Sequence, residues 1–334
     1  MKHLLLATGL VTALAASALG TRPAQADDTP VLTIYTYDSF TSDWGPGPAV
    51  TEAFESICDC RLNLVGAGDG AALLARLRLE GARSPADLVL GLDTNLIAAA
   101  RETGLFAPHG QSPALDLPID WDDDTFLPFD WGWFAFVGNR GDDHPTSFRA
   151  LAESDARIVI QDPRSSTPGL GLLMWIEAAH GDAAADIWSA LADNIVTVTP
   201  GWSAAYNLFL KGEADLVLSY TTSPAYHLIA EGDDSKQALA FDEGHYLQVE
   251  VAAMLATAAQ PELAAQFLDF MLSEAFQSII PTTNWMYPAR LPEAGLPEGF
   301  ATLIEPAQSL LFSPDEARAR RDAALAIWQS ALSR

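Results

Sequence analysis

The stretch RIVIQDPRSSTPGLGLLMW, residues 157–175, combines a strand, a polar loop and the opening of a helix, and the rest of the chain is read outward from it. Its β-branched run, 157–160, suits the centre of a parallel sheet, where both faces are covered. The strand is expected to end near Asp162, because Pro163 cannot continue a ladder. Ser165, Ser166 and Thr167 are N-cap candidates and Pro168 suits the first helical position. A helix is therefore expected from about Gly169, with Leu170, Leu173 and Met174 on its core face. Its first amides and its dipole would face the loop, where a phosphate or carboxylate could sit. Taken alone, such hydroxyls more often cap a helix than hold a ligand.

The first residues narrow the compartment. Lys2, an apolar run from Leu4 to about Gly20 and the small-residue site Ala24-Gln25-Ala26 read as a signal peptide over 1–26, with no Leu-x-x-Cys lipobox. A free periplasmic protein is expected. Without Lys2 and Arg22 the chain keeps 16 basic against 44 acidic residues, a formal charge of −28, which argues against a nucleic-acid partner. Cys58 and Cys60 are the two cysteines. An oxidising compartment favours a local bond between them, and a free reactive thiol is the alternative.

Along the chain, strands are expected at 31–37, 61–65 and 86–92, alternating with helices marked by Val50, Phe54 and Ile57, by Leu73, Leu74 and Leu77, and by 96–102. This β-α-β-α-β-α order predicts an open α/β sheet, with ligands beyond the carboxyl ends of its strands, where Tyr37, Asp69 and Asp93 fall. The aromatic run 126–137 and the run 246–254 read as two extended crossovers between lobes. The second lobe adds strands at 195–198 and 215–219, each followed by an aromatic loop. A helix at 261–272, with Leu263, Phe267 and Phe270 inward, and a closing helix at 314–332 complete the chain. The expected architecture is α/β and bilobal, with 27–132 plus 250–310 as one lobe and 133–249 plus 311–334 as the other. Such a hinged cleft suits a transport receptor. The acidic run at 121–124 lacks calcium-loop spacing, and the histidines show no ligand-spaced pair.

The blocks VLTIYTYDSFTSDWGPGP, QDPRSSTPGLGLL, TPGWSAAY, LVLSYTTSPAYH, EGHYLQVEVAA and NWMYP occur in that order. Together with the Cys-x-Cys pair, they make the chain resemble the thiamine-binding periplasmic proteins of ABC importers, type II periplasmic receptors. The resemblance implies capture of thiamine, its monophosphate and its diphosphate, without a cofactor, for a membrane permease driven by a separate ATPase, by a receptor expected to be monomeric. Tyr37, Trp44, Trp202, Tyr220, Tyr226, Asn284 and Trp285 match positions of the family's site, and aromatic faces suit a flat aminopyrimidine and a cationic thiazolium. Asp69 and Gly70 match its polar loop, and Ser165, Ser166 and Thr167 would face the hydroxyethyl or phosphate end. From spacing alone, Trp202 and Trp285 read as core residues, while Trp44 and Tyr220 fit either role. Two alternatives share the superfamily: a thiaminase I-like enzyme with a cysteine nucleophile, and an iron(III) receptor using Tyr220 and Tyr226.

Overall fold

A computed structural model describes residues 29–333, so the leader expected at 1–26 lies outside the described residues. The strands are β1 Val31–Thr36, β2 Arg61–Gly66, β3 Leu88–Asp93, β4 Phe106–Ala107, β5 Leu127–Asn139, β6 Ile158–Gln161, β7 Ile195–Thr199, β8 Leu216–Tyr220, β9 Lys236–Ala238, β10 His245–Leu255, β11 Tyr287–Pro288 and β12 Ser309–Leu310. The main path runs β2-β1-β3-β10-β5-β8-β6-β7. One lobe carries β1, β2 and β3 in parallel, and the other carries β6, β7 and β8 in parallel. The long strand β5 serves both. It pairs antiparallel with β10 from Leu127 to Trp133 and with β8 from Phe134 to Val137. The apolar crossovers read from the sequence are thus the two strands at the centre of the sheet.

Burial explains the composition of these strands. Every residue of β3 and of β6 is buried, as expected for parallel strands covered on both faces. The helix Thr167–His180 is buried from Thr167 through Ile176. Gly171 lets it lie directly on β5, since a Cβ there would come within 2.0 Å of the Phe134 ring. Any larger side chain must displace that ring from a close-packed interior. Trp175 of the same helix packs edge-on against Phe148, with ring centres 4.8 Å apart.

Some local expectations shift. The helix begins at Thr167 with Ser166 as its N-cap residue, because Pro168 is tolerated within the first turn. Ile57 is 57% exposed: the inner face of the helix Gly47–Cys58 follows the i, i+4 row Val50, Phe54, Cys58 instead. Cys58 and Cys60 form a disulfide across the turn into β2, with Asp59 between them in the left-handed region at φ 48°. This turn lies at the amino end of β2. Among the described residues, no helix is long and apolar enough to cross a membrane.

Candidate functional site

The carboxyl ends of β1, β2, β7 and β8 converge on a cavity of about 330 Å³. Tyr37, Trp44, Asp69, Thr167, Trp202, Tyr220, Tyr226, Asn284 and Trp285, all expected from the sequence, line it. Gly70, Ser165 and Ser166 do not. Two backbone contacts at this loop join the lobes instead, the Gly70 amide donating to Thr167 Oγ1 at 3.2 Å and the Ala72 amide to the Ser165 carbonyl at 3.0 Å, while Ser165 Oγ donates within its own lobe to the Pro200 carbonyl at 2.7 Å. Ser166 Oγ donates to Asp69 Oδ2 at 2.8 Å, and the Trp202 amide donates to the same oxygen at 3.0 Å. Asp69 thus sits across the cleft on donors from two helix starts, the place where an anion is favoured. Burial pushes its carboxyl up to about 6, against the lowering effect of those two hydrogen bonds.

The aromatic walls are fixed by a network of neighbours. Trp202 Nε1 donates to Ser219 Oγ at 2.8 Å, and its ring stacks on Tyr206 at 4.9 Å. The Tyr206 hydroxyl meets His227 Nε2 at 2.9 Å, while His227 Nδ1 meets Glu231 Oε2 at 2.7 Å. Tyr226 donates to Glu231 Oε1 at 2.9 Å and presents its ring edge-on to Trp285 at 5.3 Å. Trp44, 53% exposed at the mouth, leans toward Trp202 with ring centres 6.1 Å apart. Tyr37 reaches the cavity because Gly91, at φ +104°, leaves room for its ring; a Cβ would lie 2.2 Å from it. Trp285 itself holds φ +58°, a conformation costly for a bulky residue.

The sequence reading missed several lining residues. Ser203, Tyr206, Asn207 and Leu210 come from the same helix as Trp202, and the i, i+4 spacing of Trp202 and Tyr206 was the available signal. Glu250 also lines the cavity. It stood in the sequence as a lone acid within an apolar crossover, as did Asp130 in the other. Asn284 Nδ2 donates to Asp130 Oδ2 at 2.5 Å and Asn284 Oδ1 accepts from the Tyr37 hydroxyl at 3.1 Å. Among the described residues, no lysine, arginine or histidine lines the cavity. Its chemistry is that of aromatic faces over acids, which favours a flat cationic or neutral ring over a bare anion.

Two α/β lobes sharing their crossover strands and closing on one ligand-sized cavity define a bilobal solute-binding protein, and residues 49–282 match the family described as bacterial extracellular solute-binding protein. The chain belongs, more narrowly, to the family of the thiamine-binding periplasmic proteins. It is 57% identical over 310 residues to the thiamine-binding periplasmic protein of Escherichia coli K12, covering 91% of this chain and 94% of that one. A solved periplasmic thiamin binding protein superposes with a TM-score of 0.90 at 55% identity, over 94% of this chain and all (100%) of that one. Iron-bound HitA from Pseudomonas aeruginosa, at TM-score 0.72 and 20% identity over 90% of this chain and 99% of that one, shares the fold alone.

These likenesses bear on the two alternatives. The close relatives are binding proteins by name. Both cysteines are consumed in the disulfide, away from the cavity, so neither supplies the free thiolate that nucleophilic catalysis needs. Tyr220 and Tyr226 do line the cavity, yet among the described residues the cluster of His, Asp and Glu close enough to hold one metal ion is His227, Glu231 and Asp233, none of which lines it. Neither alternative is favoured.

Proposed function

We propose that this chain is the periplasmic receptor that captures thiamine and hands it to an ABC importer. The observation that carries the reading is the cavity's lining: aromatic side chains from both lobes surround it, Asp69 and Glu250 line it, and among the described residues no basic group does. Thiamine is a flat aminopyrimidine joined to a cationic thiazolium. Each contact of a desolvated cation with an aromatic face contributes about 0.5–2 kcal/mol. The mono- and diphosphate esters belong to the same reading. Their phosphates would compete with Asp69 for the Trp202 amide, a helix-start donor of the kind an anion favours. The receptor acts as a monomer in this reading, with no cofactor.

The test is a titration of ligand-stripped mature protein with thiamine, followed by tryptophan fluorescence. Saturable quenching at submicromolar thiamine is the expected outcome, since Trp202 and Trp285 line the cavity. A folded protein that shows no response in fluorescence or calorimetry overturns the reading.

A further inference from the structure

Beneath the aromatic walls lies a row of acids. In the antiparallel register, Glu250 of β10 stands opposite Asp130 of β5 on one side and Asp93 of β3 on the other. Directly opposed residues of an antiparallel pair share a face, with Cβ atoms about 5 Å apart, and like charges so placed repel. All three are buried: Asp93 and Asp130 are 0% exposed and Glu250 6%.

Their partners do not neutralise them. Asp93 Oδ1 caps the amides of Asn95 and Leu96, and the charge of Arg321 acts on it from the closing helix. Asp130 Oδ2 accepts from Asn284, and Glu250 Oε1 accepts from Gln248 Nε2 at 2.7 Å. Asp130 Oδ1 and Glu250 Oε2 are left with no hydrogen-bond partner. The other titratable groups facing the pair are Tyr37 from the end of β1, Tyr220 from β8 and, farther off, Asp69. None of these supplies a positive charge.

We propose that Asp130 and Glu250 hold one proton between them in the ligand-free cavity and release it to solvent when a cationic ring docks, so that the receptor reads positive charge by exchanging a proton for it. A single proton gives the pair the donor that both unpartnered oxygens lack. Two ionised carboxylates this close and this dry would each meet an uncompensated like charge. Burial pushes both carboxyls up, and the charge of Asp130 adds to the effect on Glu250, so the pair keeps a proton where a solvated carboxylate would lose it. A fixed cation above Glu250 supplies the missing counter-charge and makes the doubly ionised state affordable. The inference deepens the thiamine reading and rests on it.

The experiment uses the mature full-length chain, ligand-stripped, at neutral pH, with thiamine as the probe. Infrared spectroscopy should find the carbonyl stretch of a buried protonated carboxyl in the ligand-free protein. Saturation with thiamine should abolish it. Calorimetry in two buffers of different ionisation enthalpy should report the release of about one proton per thiamine bound. Glu250→Gln should remove both the proton release and the band's response, and should weaken binding about tenfold or more. Absence of the band in the ligand-free wild type overturns the proposal without need of any variant. Thiamine binding that leaves the band in place and releases no proton overturns it while the ligand reading stands. Absence of thiamine binding overturns the ligand reading, and the coupling falls with it.

Discussion

Trp285 shows how a single residue carries a cost for the site. Its φ of +58° places a bulky side chain in the left-handed region, and its amide donates to the Ile280 carbonyl at 3.0 Å, closing the short helix Ile280–Thr283. A non-glycine residue loses about 1–2 kcal/mol in that conformation, so the surrounding contacts must hold it there. Removing the ring while varying the backbone separates the two effects. Trp285→Gly should unfold in urea at a free energy about 1 kcal/mol higher than Trp285→Ala, because glycine relieves the strain that alanine keeps. Both should lose thiamine affinity by about tenfold or more, the worth of a stacked aromatic. An alanine variant as stable as the glycine variant would show that the left-handed backbone is not retained.

At the scale of elements, the Cys58–Cys60 bond spans a separation of two residues between the helix Gly47–Cys58 and β2. So short a loop removes little freedom from the unfolded chain, and the chain-entropy relation puts its contribution at about 1–2 kcal/mol. Replacing both cysteines by serine should lower the unfolding free energy by no more than this and leave thiamine affinity unchanged, since the bond lies at the opposite end of β2 from Asp69. A large loss of affinity would place the turn in the site after all. Element identity was legible in the sequence because hydrophobic period and punctuation agree there: the run 157–160 is β6 displaced by one residue, and 246–254 is β10 nearly to its ends. The partners of the site were less legible. Nothing local in Ser165-Ser166-Thr167 distinguishes a ligand loop from one that joins lobes, because the difference depends on Asp69, nearly a hundred positions earlier in the chain. Glu250 and Asp130 are invisible as a pair until the β5–β10 register brings them opposite one another. We propose the lobe division 27–132 with 250–310 against 133–249 with 311–334; the closing helix Pro314–Leu332 packs on Thr167–His180 and Ala184–Leu191 and also touches Ile97–Arg101 of the first lobe.

At the scale of the whole molecule, Asp69 makes closure of the lobes a titratable event. In the closed arrangement its carboxyl is pushed up to about 6, chiefly by burial, whereas a solvated aspartate titrates near 3.9. The closed form therefore binds the proton more tightly than an open form in which Asp69 is hydrated. The resulting bias toward closure is fully present below the open-state value and is lost as pH rises through about 6. Its size is on the order of 2–3 kcal/mol, and hydrogen bonds from Ser166 and Trp202 offset the remaining cost of burying the anion at higher pH. Small-angle scattering of the ligand-free protein should accordingly report a smaller radius of gyration at about pH 5 than at about pH 8. Asp69→Asn keeps a polar side chain of the same shape but cannot ionise, so its radius should change far less over that range. A variant that retains the full pH response would assign it to other groups, with Glu250 and Asp130 the next to test. A wild type that opens on acidification would mean that the hydrogen bonds to the ionised carboxylate outweigh the cost of burying it, reversing the order of the two effects at this contact.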